Sequence, residues 1–419
     1  MRRCVLMRLV ATLSIALGAL LSGCAAPPVP CDDPLGCLVI PSGGSIRIAY
    51  LLVFDGPFQT LGNEALGGIE LAIQARSGEL LGRPIEIAGE EPDCTRESLL
   101  KSATKIATRA NILGEIGPFC PMDTGPALNV LQNAGLAAIA LPETALAAHL
   151  DESFPPGVFR LSPSEGAQGR LAAEFAYRAL GARHTAVLGE SSPYSQNLAS
   201  SFAQTFRALG GTITRQFSAN EGTADFSPFY QQLSADPPDV LYLPLFRRSG
   251  DLALRQYRDF PLLNRVALLG GDGLFDRDLY KEAGAPEKMY VTGITLAGES
   301  YARFAAEWQA EYGDPPGSSQ AALAYDATGI LLDSARKVAI IGRSGTLSIG
   351  RLALRQAIAS LDRYAGLSGP ISCRSNGACV TGSPLAVFSI PADKTSPAGK
   401  TSGTHWPPPI FWQEEQEGR

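Results

Sequence analysis

The sequence predicts an α/β protein whose body folds as two doubly wound lobes. From residue 46 onward, short apolar runs alternate with amphipathic helical stretches, which is the rhythm of βαβ units built on a parallel sheet. That rhythm runs once before residue 161 and again from 165 to 270. The chain of 419 residues, less its N-terminal segment, is also too long for one ordinary domain and fits two.

In the first lobe an apolar run at 46–54 reads as the opening strand, followed by an amphipathic helix at 64–76 and a strand at 84–88. A helix at 95–109, a strand at 112–117, a helix at 123–134 and a strand at 136–141 continue the alternation. The second series begins with a helix at 165–180 and takes strands at 184–189, 212–218, 239–245 and 266–270. Helices at 194–209, 226–234 and 250–259 separate those strands. A strand at 289–296 and helices at 300–312, 319–341 and 348–360 hold too few strands for a third domain and are expected to complete the first lobe. Residues 25–45, rich in Pro, Gly and Ser, read as a spacer outside the fold. Residues 394–419, which include His405-Trp406-Pro407-Pro408-Pro409, read as a flexible tail.

At the N-terminus, positive charge at Arg2, Arg3 and Arg8 precedes an uncharged apolar run at 9–21. This is a signal-peptide layout, shorter than the roughly 20 apolar residues a spanning helix needs. The run ends in Leu21-Ser22-Gly23-Cys24, which resembles the lipobox of bacterial lipoproteins. The resemblance implies that residues 1–23 are removed and that Cys24 carries lipid. Ordinary cleavage near Ala25-Ala26 is the alternative. The expectation is a protein held by a lipid anchor to a membrane of the cell envelope, on its extracytoplasmic side, because several acyl chains anchor stably where a single one does not.

Setting aside Cys4 and Cys24 leaves Cys31, Cys37, Cys94, Cys120, Cys373 and Cys379. An even set in an exported chain favours disulfides over metal or redox sites. Six cysteines allow fifteen connectivities by spacing alone. The simplest pairs Cys31 with Cys37 and Cys373 with Cys379, each across a Gly-containing loop, and leaves Cys94 for Cys120; free buried thiols are the alternative.

A hydrophobic fraction of 45% and a charged fraction of 18% describe a globular protein with ample core material, and the net charge of -6 without a basic stripe argues against nucleic acid as a partner. The histidines are only His149, His184 and His405. No GxSxG elbow, HExxH helix, GxxxxGK loop or GxGxxG after a strand is present. Gly270-Gly271-Asp272-Gly273 lacks dinucleotide-site spacing and reads as a loop at a strand end. Carboxylates are plentiful, yet no pair at a defined spacing points to acid–base work. The sequence therefore favours a non-enzyme and suggests no cofactor and no metal.

The order of several short segments resembles the type I periplasmic solute-binding proteins of the branched-chain amino acid (Leu/Ile/Val) receptor group, which serve ABC transporters. The matching pieces are Gly56-Pro57-Phe58 with Gly62 and Gly68, Asp93-Cys94, and Ile116-Gly117-Pro118-Phe119-Cys120. They continue with Val158-Phe159-Arg160-Leu161, Tyr194, Asp225-Phe226-Ser227, Asp239-Val240-Leu241-Tyr242, Gly271-Asp272-Gly273 and Leu367-Ser368-Gly369-Pro370-Ile371. Each is weak alone; their order over residues 46–392 carries the resemblance. It implies two Rossmann-like lobes joined by three crossovers, 46–161 plus 291–368 and 162–290 plus 369–393, with a disulfide at Cys94 and Cys120. It further implies hinge closure on a ligand held at the carboxyl ends of the strands.

Carried over position by position, the resemblance places Phe58 and Leu61 at the side-chain pocket and Thr144 at the ligand's polar head. It puts Tyr194, Phe246 and the ammonium partner Asp272 in the second lobe. Met122 and Pro142 belong to the same first-lobe loops and complete the expected site. The hydroxyl residue that should follow the second cysteine is Pro121, which has neither hydroxyl nor N–H. Glu143, Arg247 and Arg248 adjoin site positions and could alter specificity. The function implied is that of a monomeric receptor delivering a small polar ligand, foremost an amino acid or related amine or amide, to an ABC permease. The alternatives are a ligand sensor for a membrane signalling protein and, less favoured, an enzyme on the same scaffold.

Overall fold

The structure, a computed structural model, describes residues 31–120, 124–141, 155–161, 163–220, 223–381, 385–392 and 406–413. Its first sheet is entered after a short strand β1 (Cys37–Ile40). It contains β2 (Ile46–Leu51), the hairpin β3 (Glu79–Leu80) and β4 (Arg83–Glu90), then β5 (Ile112–Ile116), β6 (Ala137–Ala140) and β7 (Val158–Arg160). The spatial order is β3-β4-β2-β5-β6-β7, with β4, β2, β5, β6 and β7 parallel. Helices α1 (Gln59–Gln74), α2 (Arg96–Thr108) and α3 (Gly125–Asn133) connect them. Covered on both faces, β5 and β6 are apolar at nearly every position and wholly buried. α2 begins where Thr95 Oγ1 accepts the Ser98 amide at 3.2 Å, with Glu97 in its first turn and Lys105 in its last.

The second sheet follows α4 (Glu165–Glu174), which the sequence reads as one helix to residue 180 but which closes in a π-helical turn over Phe175–Ala179. Strands β8 (His184–Glu190), β9 (Thr212–Ala219), β10 (Val240–Leu243), β11 (Ala267–Gly270) and β12 (Met289–Ile294) alternate with α5 (Pro193–Ala208), α6 (Ser227–Ala235), α7 (Arg247–Tyr257) and α8 (Arg277–Ala283). These strands run parallel in the order β12-β11-β10-β8-β9. Separate apolar cores fill its two faces, one around Tyr230, Leu241 and Leu268, the other around Phe202, Phe206 and Tyr242. Phe202 stacks on Tyr242 at 4.3 Å between centroids.

Next come α9 (Glu299–Tyr312), α10 (Gln320–Val338), β13 (Ile340–Ile341), β14 (Leu347–Gly350), α11 (Arg351–Ala359) and a small sheet of β15 (Tyr364–Gly366), β16 (Gly369–Cys373) and β17 (Cys379–Thr381). β18 (Leu385–Ile390) then adds antiparallel to β12, and β19 (Ile410–Trp412) antiparallel to β18. The chain thus passes between the lobes three times: after β7, after β12, and between β17 and β18. Disulfides join Cys31 to Cys37, Cys94 to Cys120 and Cys373 to Cys379. No helix among the described residues is long and apolar enough to cross a membrane.

Four expectations change. The sequence assigns the strand that opens at Met289 to the first lobe, yet β12 pairs with β11 through Leu268↔Met289 and belongs to the second sheet. Residues 369–381 are expected in the second lobe, yet Ile371 and Cys379 are buried in the first-lobe core and Arg160 bridges Ala378. Part of the expected spacer is structural, because β1 pairs with β14, Leu38 and Ile40 are buried, and the Asp33 carboxylate accepts the Leu352 and Ala353 amides at 3.0 and 2.9 Å. Part of the expected tail is structural too: β19 lies beside β18, Phe411 packs on Tyr290, and Trp406 lies against Phe275 and Tyr280. Those aromatic side chains bury surface that a solvated tail would leave in water.

Asp33 caps the first turn of α11 across more than three hundred residues of chain. Asp33→Ala is therefore expected to lower stability by about 1 kcal/mol, the usual cost of a lost helix cap. Urea unfolding at neutral pH reads it, and an unchanged midpoint would show that α11 does not depend on this cap.

Candidate functional site

The carboxyl ends of the two parallel sheets face a common cleft. From the first lobe, α1 starts soon after the strand β2. At Gly62 a Cβ would lie 2.0 Å from the Val53 carbonyl oxygen, so only glycine lets the helix approach the strand end this closely. That approach brings Phe58 and Leu61 to the cleft wall. The turn after β5 adds Phe119, whose ring meets Phe58 edge-on at 6.2 Å.

Across the cleft the second lobe supplies a hydrogen-bonded group. Ser192 caps α5 by accepting the Ser195 amide, which sets Tyr194 in the first turn pointing toward the end of β11. Tyr194 donates its hydroxyl to Asp272 at 2.5 Å and accepts the Gly273 amide at 2.7 Å. A Cβ at Gly273 would sit 2.7 Å from the Leu245 carbonyl and 3.0 Å from that hydroxyl, so the glycine is required by close approach. Gln168, on α4, accepts the Asp272 amide at 3.0 Å and the Thr292 hydroxyl at 2.9 Å, fixing the loop from behind. Phe246 stacks on Tyr194 at 4.5 Å and meets Phe58 of the other lobe edge-on at 5.1 Å.

Burial pushes the Asp272 carboxyl above the usual carboxylate range, against the lowering effect of hydrogen bonds from Tyr194 and Gln168. Burial and the neighbouring Asp272 charge push the Tyr194 hydroxyl well up. The pair is a phenol donating to a carboxylate, with carboxylate acceptor capacity left over for a ligand N–H.

The structure brings Phe58, Leu61, Tyr194, Phe246 and Asp272 to one cavity. Met122, Pro142 and Thr144, with Pro121 and Glu143, lie outside the residues whose site contacts are described, as does Cys24. Arg247 is not a free charge: it pairs with Asp276 and Glu282, each at 3.0 Å, and reaches Thr60 of the first lobe at 3.4 Å. Arg248 is exposed.

Pro163, Glu165, Gln168, Phe119 and Ser318–Gln320 also line the cavity and are absent from the sequence-based site. Ser164, which caps α4 by accepting the Ala167 amide at 3.2 Å, is the available signal for Glu165, because it marks a helix start facing the strand ends. Ser318 owes its place to Glu64, which accepts the Gly317 amide at 2.6 Å and the Ser318 hydroxyl. Among the described residues no group of three or more His, Cys, Asp or Glu is placed to hold a metal ion.

A cleft walled by both of two doubly wound sheets, with polar side chains converging from the second and apolar ones from the first, defines a two-lobed α/β ligand-binding protein. The chain belongs to the periplasmic binding protein family, whose model matches residues 45–395. It is similar to a Pseudomonas aeruginosa protein described as an amino acid binding protein, 24% identical over 220 residues, which are 52% of this chain and 57% of that relative. That match therefore spans little more than half of the relative's length. Among solved structures the chain resembles a leucine binding protein from Thermotoga maritima, with 22% identity, 83% of this chain and 95% of that one covered, and a TM-score of 0.72. It also resembles an ABC transporter solute binding protein from R. palustris in complex with benzoate, with 20% identity, 83% and 93% coverage, and a TM-score of 0.72.

Proposed function

We propose that this chain is a lipid-anchored, extracytoplasmic receptor that closes on a small ligand carrying a positive amine, foremost an amino acid or a related amine or amide, and presents it to an ABC import permease. The observation that carries the reading is the Tyr194–Asp272 pair in a cavity walled by Phe58, Leu61 and Phe246. The carboxylate suits an ammonium group, and the aromatic and aliphatic wall suits an apolar body. The amino acid binding and leucine binding descriptions of the similar proteins support it, as does the cleft between two lobes, where hinge closure would create the surface a permease recognises. Cys24 would hold the receptor at the membrane.

Thermal-shift screening of the purified protein against amino acids, amines, amides and aromatic acids tests the reading. A true ligand at a hundredfold excess over its Kd stabilises by about 2.7 kcal/mol. Tyr194→Phe removes the hydroxyl that orients Asp272 and is expected to weaken the best hit about tenfold, or ~1.4 kcal/mol. Stabilisation by aromatic acids alone, with none by amine-bearing compounds, would sink the amine assignment.

A further inference from the structure

We propose that the N-terminal end of α10, together with the Gln320 side chain, is an anion subsite that takes the carboxylate of the ligand whose ammonium Asp272 holds. The inference rests on the amine reading above and adds the second half of the ligand's recognition.

The first observation is a helix start with unused donors. α10 is 19 residues long, and Ser318, Ser319 and Gln320 at its start line the cavity. The Ser319 side chain makes no capping bond. The Gln320 amide is taken by the Ser318 hydroxyl oxygen at 3.1 Å, and the Leu323 amide by the Ser319 carbonyl at 3.1 Å. The Ala321 and Ala322 amides have no acceptor among the described residues. A helix start carries roughly half a positive charge, concentrated on such unmatched N–H groups, and favours an anion.

The second observation is independent of the helix. Gln320 is 6% exposed, lies on the cavity wall, and its Oε1 has no hydrogen-bond partner among the described residues. A side-chain amide presents its NH2 or its oxygen according to which way it is turned, so the same group that lacks a partner here can donate to a bound carboxylate. No hydrogen bond from the Gln320 NH2 to a described residue is present, so it is the NH2, turned to the cavity, that a ligand carboxylate would accept from.

The surroundings restrict the anion to a single charge. Asp272 and Glu165 stand on the same cavity and would repel a dianion such as phosphate. Glu64 sits behind the loop, where it already holds Gly317 and Ser318. A carboxylate at α10 and an ammonium at Asp272 place opposite charges on the two lobes' sides of one ligand. Pro121, which offers neither a hydroxyl nor an N–H, then need not contribute to carboxylate binding.

Isothermal titration calorimetry with two matched probe sets separates the two heads. One set is leucine, 3-methylbutylamine and 4-methylpentanoate; the other is phenylalanine, 2-phenylethylamine and 3-phenylpropanoate. Within the set that fits the cavity, the amino acid is expected to bind at least tenfold more tightly than either single-headed probe. Gln320→Leu should weaken the amino acid and the acid about tenfold, with the amine within about twofold, which also shows that the variant is folded. Gln320→Glu, which adds a negative charge to the cavity, should weaken the amino acid and the acid at least as much and leave the amine no weaker. Asp272→Asn should do the reverse, weakening amino acid and amine and sparing the acid. Unchanged amino-acid affinity in both Gln320 variants, or amines binding as tightly as amino acids, overturns the anion subsite while leaving the ammonium assignment standing. Failure of all six probes to bind the wild-type protein overturns both.

Discussion

Gly68→Ala is expected to destabilise the protein by about 2–3 kcal/mol and to loosen the ligand cleft at the same time. Alanine in place of an interior helical glycine ordinarily gains about 1 kcal/mol, so the sign here depends on what the added methyl meets. At Gly68 a Cβ would lie 2.1 Å from the Ala321 carbonyl oxygen and 3.1 Å from the Tyr325 amide nitrogen, both backbone atoms of α10. Neither can rotate away. The helices must separate to admit the methyl, and overpacking of that kind costs typically about 1–3 kcal/mol or more. α10 is buried along most of its length, so displacement opens the contacts of Leu323, Ala324, Ala327 and Leu331 together. Ser319 and Gln320 sit at the start of the displaced helix, so ligand affinity should fall with stability. Urea unfolding gives the first effect and calorimetry the second. A midpoint equal to wild type would mean that α1 and α10 part without cost.

The same contact shows what the sequence could and could not disclose. The alternation of strands and helices was legible because parallel strands such as Ala137–Ala140 are apolar on both faces and helices such as Arg96–Thr108 are not. Tyr194 and Asp272 enter through the resemblance of their segments to the solute-binding proteins, and the structure places both on one cavity at strand ends of the second sheet. Gln320 was not legible, because it lies far along the chain on a helix of the last crossover segment, and only the approach of α10 to α1 brings it to the cleft. The strand at Met289–Ile294 is read as a strand but given to the wrong lobe, because an apolar strand carries no mark of which sheet it joins; pairing of Met289 with Leu268 decides that. The tail misleads for the opposite reason: Pro407-Pro408-Pro409 masks a short strand whose Phe411 and Trp412 pack on Phe175.

The protein should also lose stability as pH rises from about 5 to 8, and Glu64→Gln should remove a large part of that loss. Burial raises the Glu64 carboxyl from its ordinary 4.5 to about 7, although the Ser318 hydroxyl and the Gly317 amide favour its charged form, and Asp276 adds to the rise. Below about pH 4.5 the group is neutral in both folded and unfolded chains, and its contribution is fully present. Between 4.5 and 7 the folded chain retains a proton that the unfolded chain releases, so stability falls with pH, by about 1.4 kcal/mol for each unit. The loss from this group is about 3 kcal/mol and is complete once pH passes its folded value. Asp326, raised by burial to about 6, adds a smaller loss of the same sign. Glutamine carries no charge at any pH, so the variant should be flatter across this window and about 2 kcal/mol more stable than wild type at pH 8. Urea midpoints at about pH 5, 6, 7 and 8 test this, and an identical slope in the two proteins would show that Glu64 is not the group that titrates. The substituted amide has a single oxygen, whereas the Glu64 carboxylate takes the Gly317 and Ser318 bonds on separate oxygens. The loop leading into α10 would therefore be less well held even as the fold gained stability, setting stability against site geometry at a single buried position.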